Sequence, residues 1–190
     1  MSALVKDVIT VCWGLFFVVW VVAALFTKRT AYRDNAGRRL LYILPAVAGW
    51  FFLFRGKRLS RPFNFQIVPE TDAMLVLAAF FCLGGVLLCI WARAVLGRNW
   101  SGTVTLKENH ELIVRGPYRL VRHPIYTGLL MMLAGTALQQ GRLASLFAVV
   151  VVFVALWIKL RQEEELMVKQ FPAEYPSYCA RVKRIIPFVL

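Results

Sequence analysis

Five apolar stretches, separated by charged segments, dominate the pattern of the chain. They cover residues 8–26, 40–54, 73–91, 125–138 and 143–158. The first and the third each contain 19 uncharged residues, close to the ~20 that an α-helix needs to cross the hydrocarbon core of a bilayer. The second is shorter and contains Pro45, which favours a kinked or tilted helix. Asp72 directly precedes the third stretch, where we expect it to cap the helix.

The last two apolar stretches are joined only by residues 139–142. So short a link predicts that their helices are antiparallel neighbours. The pattern as a whole therefore predicts an all-α integral membrane protein with five transmembrane helices, of which the last two form a C-terminal helical hairpin. We divide the chain into three N-terminal transmembrane helices, 1–91, and a C-terminal region, 92–190, that carries the candidate chemistry.

Composition and charge agree with a multi-pass membrane protein. The chain has 190 residues, of which 59% are hydrophobic, and its mean hydropathy is +0.63. The net charge is +13, and a five-span arrangement puts 17 of the 23 lysines and arginines on one side. This asymmetry predicts a cytoplasmic C-terminal tail and an N-terminus outside. If the short second stretch does not cross, the split becomes 13 against 10, so the five-span arrangement is preferred. No nucleic-acid-binding motif accompanies the positive charge, so we expect no nucleic-acid partner.

The cysteines and histidines form no metal-binding pattern. There are four cysteines and two histidines, and no CxxC pair occurs. Cys12, Cys82 and Cys89 lie inside apolar stretches, where a thiol behaves as a small hydrophobic group. We therefore expect no metal site. The first apolar stretch has no A-x-A-like cleavage site after it and is interpreted as a retained span.

The hairpin brings polar residues that are distant in sequence to one depth in the membrane. His123 lies 17 residues before the turn near Gln140, and Lys159 to Glu164 lie 19 to 24 residues after it. At about 1.5 Å of rise per residue, both sets reach a similar depth on the cytoplasmic side. His123, Tyr126, Lys159, Glu163 and Glu164 are therefore expected to converge, with Glu164 turned ~100° away from Glu163.

Each of these residues also has a purely structural explanation. His123-Pro124 suits the start of a helix, and Tyr126 suits an aromatic anchor at the membrane interface. The glutamates could form a solvated helix face, and Lys159 could extend along the helix toward water. The convergence of all five at one location favours a functional site. We also expect the semi-polar loop 92–122 to fold against the cytoplasmic mouth of the hairpin.

The motifs in this half of the chain resemble those of the isoprenylcysteine carboxyl methyltransferase family. The resemblance rests on Gly116-Pro117-Tyr118, on Arg122-His123-Pro124-x-Tyr126-x-Gly128, and on Glu163-Glu164 followed by Phe171, Tyr175 and Tyr178. It covers residues 100–188, and related phospholipid methyltransferases share the broad pattern. Two positions depart from the family: Pro172 stands where a glycine is common, and Lys159 stands where a substrate-binding arginine is common.

The resemblance implies a membrane enzyme that binds S-adenosyl-L-methionine without a glycine-rich nucleotide loop. Glu163 would pair with the ammonium group of the cofactor, and tyrosine faces would stabilise its sulfonium. Glu164 and Arg122 are implied as catalytic residues, and Lys159 and Arg161 as substrate-binding residues. The implied cofactor-binding residues are His110, Glu111, Leu112, Ile113, Tyr118, His123, Pro124, Ile125, Tyr126 and Glu163.

The implied reaction is methyl transfer to the carboxylate of a prenylated cysteine or a similar lipid-like acceptor. A carboxylate acceptor is already ionised at neutral pH and needs a cation instead of a general base. The alternative is a phospholipid amine such as phosphatidylethanolamine, which would need a base, with Glu164 or His123 as candidates. An NADPH-dependent membrane reductase and a non-catalytic scaffold are weaker alternatives. The sequence does not predict an oligomeric state, because Gly84-Gly85 could permit close helix contact within or between chains.

Overall fold

Helices account for most of the structure. The computed structural model describes residues 1–33, 35–55, 58, 63–107 and 111–189. Short 3₁₀ turns at Gly97–Asn99 and Gly116–Arg119 lie in the loop before α4. The α-helices and strands, in chain order, are α1 (Ser2–Ala24), β1 (Thr30–Arg33), α2 (Ala36–Arg55), α3 (Asp72–Leu96), β2 (Thr105–Lys107), α4 (Pro124–Gln140), α5 (Leu143–Gln170) and α6 (Glu174–Arg181).

All five predicted apolar helices are present. Four of them, α1, α2, α3 and α5, are long and apolar enough to cross a membrane. The second helix contains Pro45 but still runs for 20 residues, whereas α4 has only 17, at the lower limit for a span. The all-helical membrane class is therefore supported, and the crossing by α4 stays a prediction.

The start of α3 corrects one prediction. Asp72 is the first residue of the helix and not its cap, because Thr71 has extended backbone angles and its hydroxyl accepts a hydrogen bond from the Met74 amide. Thr71 therefore satisfies one of the amides that a helix start leaves unpaired. Asp72 lies in the first turn, where its negative charge complements the helix dipole.

The hairpin turn is tight, but its two helices pack mainly against other partners. Gly141 ends α4 with φ 64, and α5 begins two residues later. α4 packs most extensively against α3, and α5 packs most extensively against α2. The α3–α4 crossing is close because a Cβ on Gly85 would lie 2.5 Å from the Gly128 carbonyl oxygen. At Gly85, the Gly84-Gly85 pair of α3 therefore packs against a helix of the same chain.

The helices alternate in direction, so one end of the bundle collects the functional motifs. The Lys28 amide, just after α1, donates to the Arg98 carbonyl, just after α3. The Gln162 amide group, near the end of α5, donates to the Arg38 carbonyl near the start of α2. At the opposite end, the amides of Ile67 and Val68 donate to the Gly141 carbonyl.

A short two-stranded ladder closes the motif end. β1 follows α1, and it pairs antiparallel with β2 from the loop between α3 and α4. The predicted packing of loop 92–122 against the hairpin is confirmed, since residues 99–103, 105 and 111–113 line the cavity described next.

Candidate active site

A cavity of about 440 Å³ lies where the end of α3, the start of α4 and the end of α5 meet. Its apolar walls come from α1 and the membrane parts of α4 and α5, and its polar groups come from the motif residues. The residues that line the cavity include Phe16, Trp20, Trp100, Glu111, Leu112, Ile113, Tyr118, Arg122, His123, Pro124, Ile125, Tyr126, Leu129, Leu156, Lys159, Glu163, Tyr175 and Tyr178.

Glu163 provides the carboxylate at the cavity wall. The Tyr126 hydroxyl donates to both of its oxygens, at 2.7 and 2.8 Å. The His123 ring stacks on the Tyr126 ring, with centroids 5.3 Å apart and planes 1° apart. His123 Nδ1 lies 3.8 Å from Glu163 Oε2. The predicted convergence of these three residues is confirmed.

Lys159 lies one helical turn before Glu163 and contacts the same region. Its ammonium is 3.8 Å from Glu163 Oε1 and donates a hydrogen bond of 2.8 Å to the Gly102 carbonyl. It also lies 5.4 Å from the Tyr126 ring centroid. Lys159 thus connects α5 to the loop that covers the cavity, while its charge remains next to the Glu163 carboxylate.

Glu164 points away from the cavity into a buried charge cluster. Its side chain is 10% exposed, against 25% for Glu163. Arg122 Nε and Nη2 donate to Oε1 at 2.9 and 2.8 Å, and His123 Nε2 lies 3.2 Å from the same oxygen. Arg184 Nε donates to Oε2 at 2.9 Å. Both oxygens of Glu164 are therefore satisfied by cations or imidazole, as a buried carboxylate requires.

The segment after α6 forms part of this cluster. The Arg122 amide donates to the Lys183 carbonyl at 2.7 Å, and the His123 amide donates to the Arg184 carbonyl at 2.9 Å. Arg122 Nη1 donates to the carbonyls of Cys179 and Val182. Burial alone would lower the pKa of Arg122, but the hydrogen bonds to Glu164 hold this pKa above its ordinary value. Arg122 is therefore a permanent cation with most of its donors occupied.

Two further tyrosines join the tail to the loop before α4. The Tyr178 hydroxyl donates to the Tyr118 carbonyl at 2.6 Å. Burial, together with the nearby Glu163 carboxylate, raises the pKa of the Tyr118 hydroxyl, and burial also raises the pKa of Tyr178. Both phenols therefore remain protonated hydrogen-bond donors over the physiological pH range.

Most of the predicted site residues meet at the cavity, and two of those that the structure describes do not line it. Glu164 lies behind the wall in the charge cluster, and Arg161 is exposed on another face of α5. Both positions follow from the helix, because neighbouring residues on α5 are ~100° apart. His110, also predicted as a site residue, lies outside the described residues. Among the described residues, no group of three or more potential metal ligands occurs.

Several cavity residues carried no signal in the sequence. Phe16 and Trp20 come from α1, an evenly apolar helix, and Trp100 comes from the loop after α3. Only the tertiary arrangement separates these aromatic residues from others that face lipid. Arg184 was also not singled out, because a charged residue in a basic tail has no distinguishing pattern.

Comparison with known proteins agrees with this geometry. The family model described as phospholipid methyltransferase matches residues 73–174, just over half of the chain. The chain belongs to the phospholipid methyltransferase family. The matched segment contains α3, α4 and α5, and with them both walls of the cavity that hold Tyr126 and Glu163.

Relatives of this phospholipid methyltransferase family member carry two kinds of name. A probable protein-S-isoprenylcysteine O-methyltransferase of Oryza sativa subsp. indica is 32% identical over 96 residues, 49% of this chain and 50% of the relative. The protein-S-isoprenylcysteine O-methyltransferase of Schizosaccharomyces pombe is 32% identical over 130 residues, 64% of this chain and 51% of the relative. The cobalt-zinc-cadmium resistance protein CzcN of Cupriavidus metallidurans is 28% identical over 96 residues, 50% of this chain and 44% of the relative.

The chain spans about half the length of the curated relatives it matches. The family resemblance inferred from the motifs is confirmed, and the segment matched by the family model supplies most of the residues that line the cavity.

Proposed function

We propose that this chain is a membrane methyltransferase that uses S-adenosyl-L-methionine and methylates the carboxylate of a prenylated cysteine or a similar lipid-like acceptor. The observation that carries the proposal is Glu163, a carboxylate at the wall of a cavity, held by the Tyr126 hydroxyl. The family membership and the names of the relatives support the same class of reaction.

The groups at the cavity fit the proposed cofactor. Glu163 offers charge to an ammonium group, and its present cation, Lys159, is 3.8 Å away and not in close contact. The aromatic face of Tyr126 and the protonated hydroxyl of Tyr118 line the same space. An aromatic face attracts a sulfonium through the ring quadrupole, and about 440 Å³ lies in the range of small-molecule pockets.

When bound, S-adenosyl-L-methionine supplies an electrophilic methyl group on a positively charged sulfur. The contribution of the chain is alignment: Glu163 and Tyr126 would fix one end of the donor, and the apolar wall from α1 would hold the tail of the acceptor. Because a carboxylate acceptor would take the methyl group without releasing a proton, the residues of the chain would need to position the acceptor and not to act as a base.

The charge pattern favours a carboxylate acceptor over an amine. Glu164, one of the two candidate bases for amine methylation, has both oxygens occupied by Arg122, His123 and Arg184. Lys159 lines the cavity with its ammonium, and we propose that it holds the acceptor carboxylate. Arg161 has no part in this arrangement, since it is exposed and does not line the cavity.

Transfer of a labelled methyl group to a panel of acceptors tests this proposal. Detergent-purified protein is incubated with labelled S-adenosyl-L-methionine and either a farnesylated cysteine derivative, the same derivative without the prenyl group, or phosphatidylethanolamine. We expect label in a base-labile ester of the farnesylated compound only. Label in phosphatidylethanolamine alone would establish the amine alternative, and transfer to the non-prenylated compound at equal rate would contradict a lipid acceptor.

Calorimetry distinguishes a methyltransferase from the two weaker alternatives, an NADPH-dependent membrane reductase and a non-catalytic scaffold. We expect S-adenosyl-L-homocysteine to bind and NADPH not to bind. Binding of NADPH alone would indicate a reductase, and binding of neither compound by folded protein would indicate a scaffold.

A further inference from the structure

Arg184 lies in the tail after α6, behind the cavity wall. It is linked to the cavity through the side chains of Glu164 and His123. Arg184 Nε donates to Glu164 Oε2 at 2.9 Å, and its guanidinium lies 5.4 Å from the Trp157 ring centroid. Trp157 and Glu164 are seven residues apart on α5 and therefore share one face of the helix. Arg184 is thus fixed against α5 at two points while remaining outside the cavity lining.

Glu164 determines that the Nε2 nitrogen of His123 carries a proton. An ionised carboxylate only accepts hydrogen bonds, so the contact of 3.2 Å between Glu164 Oε1 and His123 Nε2 requires a proton on Nε2. The other ring nitrogen, Nδ1, faces Glu163 at 3.8 Å. The nitrogen that carries the proton in a histidine is set by the hydrogen bond at the other one.

The Nδ1 atom of His123 makes no hydrogen bond to Glu163, because its distance of 3.8 Å from Oε2 exceeds hydrogen-bond range. Arg122 and Arg184 both pair with Glu164, and Lys159 lies beside Glu163. Both carboxylates next to His123 therefore have a cationic partner other than the imidazole. A neutral ring protonated on Nε2 leaves Nδ1 as a hydrogen-bond acceptor next to the Glu163 carboxylate.

We infer that Arg184 is a positioning residue: it holds Glu164 so that Glu164 keeps His123 as the Nε2–H tautomer, with Nδ1 facing the cavity as an acceptor. Two acceptors, Nδ1 and the Glu163 carboxylate, then lie side by side and suit a ligand group with several N–H donors, such as an ammonium. The tail backbone supports the same geometry, because the His123 amide donates to the Arg184 carbonyl and the Thr127 hydroxyl donates to the Ile185 carbonyl.

The tautomer of His123 can be measured without any ligand. The chain has two histidines, so selective ¹⁵N-histidine labelling with a His110→Gln variant assigns the signals of His123 in detergent-solubilised protein. We expect one protonated nitrogen, Nε2, and one unprotonated nitrogen, Nδ1. We expect Arg184→Gln to mix the two tautomers, and Arg184→Lys to restore most of the original pattern because it keeps the charge beside Glu164.

Lys183→Gln is the matched control, because it removes a neighbouring exposed cation whose contact with Arg122 runs through its backbone carbonyl. It should leave the tautomer unchanged. An unchanged tautomer in Arg184→Gln, or an Nδ1–H tautomer in the original protein, would overturn the inference. If Arg184→Gln does not fold, Glu164→Gln in folded form gives the same answer, since an amide no longer demands a proton on Nε2.

Affinity for S-adenosyl-L-homocysteine provides a second readout that rests on the proposed function. Loss of a supporting partner behind a ligand-binding residue commonly weakens binding 10- to 100-fold at metal sites, and we expect about a tenfold loss here for Arg184→Gln. His123→Asn, whose amide reaches the position of Nδ1, should bind better than His123→Gln, whose amide reaches the position of Nε2. Equal binding by these two variants contradicts a role for Nδ1. If the original protein binds no S-adenosyl-L-homocysteine, the proposed function fails while the tautomer result still decides the role of Arg184.

Discussion

At the scale of single residues, two adjacent glutamates have opposite environments. Glu163 faces the cavity with a tyrosine hydroxyl on its oxygens, and Glu164 is enclosed by two arginines and a histidine. The difference comes from the ~100° rotation between neighbouring helical residues. A ligand can therefore reach Glu163, whereas Glu164 organises the wall behind it.

Replacement of Glu163 tests this division directly. We expect Glu163→Ala to weaken S-adenosyl-L-homocysteine binding by about 10- to 100-fold, since a hydrogen bond to a charged group contributes ~1.5–3 kcal/mol. The protein should still purify folded, because the Glu163 side chain is partly exposed. Isothermal titration calorimetry measures the affinity.

Glu165→Gln is the control for this experiment. Glu165 follows on the same helix and forms an exposed ion pair with Arg38, which contributes little to stability. If Glu163→Ala binds S-adenosyl-L-homocysteine as tightly as the Glu165→Gln control does, Glu163 is not part of the cofactor site.

The sequence predicted the motif residues of the site better than its apolar residues. His123, Tyr126 and Glu163 could be brought together from helix length and turn position alone, because a hairpin relates residues on its two arms by distance from the turn. Phe16 and Trp20 could not be assigned, because α1 is apolar on every side and its rotation in the bundle depends on contacts with other helices. The family resemblance implies a catalytic role for Glu164, but in the structure this carboxylate is paired with Arg184. No local sequence pattern predicts that the tail folds back to bring Arg184 there.

At the scale of helices, the α3–α4 crossing sets the position of the motif at the start of α4. Gly85 and Gly128 face each other, and a Cβ on either would lie 2.5–2.6 Å from the carbonyl oxygen of the other. Gly135 repeats the pattern further along, where a Cβ would lie 2.5 Å from the Ala78 carbonyl oxygen. The sequence indicated that the glycine pair could permit close contact, but it left open whether the partner helix belongs to the same chain.

Gly85→Ala should destabilise the bundle. The obstructing atoms belong to the α4 backbone, so the helices must separate, and overpacking of this kind typically costs ~1–3 kcal/mol. We expect a lower midpoint of thermal unfolding in detergent together with weaker ligand binding.

Gly14→Ala is the matched control, because nothing lies within 4 Å of a Cβ at that position of α1. It should leave the midpoint unchanged or raise it slightly, since alanine is favoured over glycine in a helix by ~0.5–1 kcal/mol. A midpoint for Gly85→Ala equal to that of this control would show that the α3–α4 crossing tolerates a wider spacing than the structure has.

At the scale of the whole molecule, the alternating helices separate a motif end from an opposite end. Most of the lysines and arginines are at the motif end in this arrangement, which predicts that it faces the cytoplasm. The sequence predicted the number and order of the helices from hydrophobicity. It left open whether the short second apolar stretch crosses. As α2, this stretch is long and apolar enough to cross, whereas α4, with 17 residues largely surrounded by protein, is marginal for a lipid-exposed span.

Labelling of single introduced cysteines tests this topology. Glu70→Cys and Gln140→Cys, at the end away from the cavity, should react with a membrane-impermeant maleimide from outside intact cells. Lys169→Cys should react only after the membrane is opened. Cys12, Cys82 and Cys89 are buried, and Cys179→Ser removes the remaining background. Protection of Gln140→Cys in intact cells while Glu70→Cys reacts would exclude the crossing by α4.

The contacts between the segment after α6 and the start of α4 have a consequence for the order in which parts of the protein form during biosynthesis. Residues 182–185 follow every helix of the bundle in the chain, yet their carbonyls hold the backbone of Arg122 and His123. A nascent chain therefore completes its apolar helices before the groups that shape the cavity wall have been translated. We therefore expect insertion into the membrane to precede completion of the cavity wall, which requires the tail to fold back onto the start of α4.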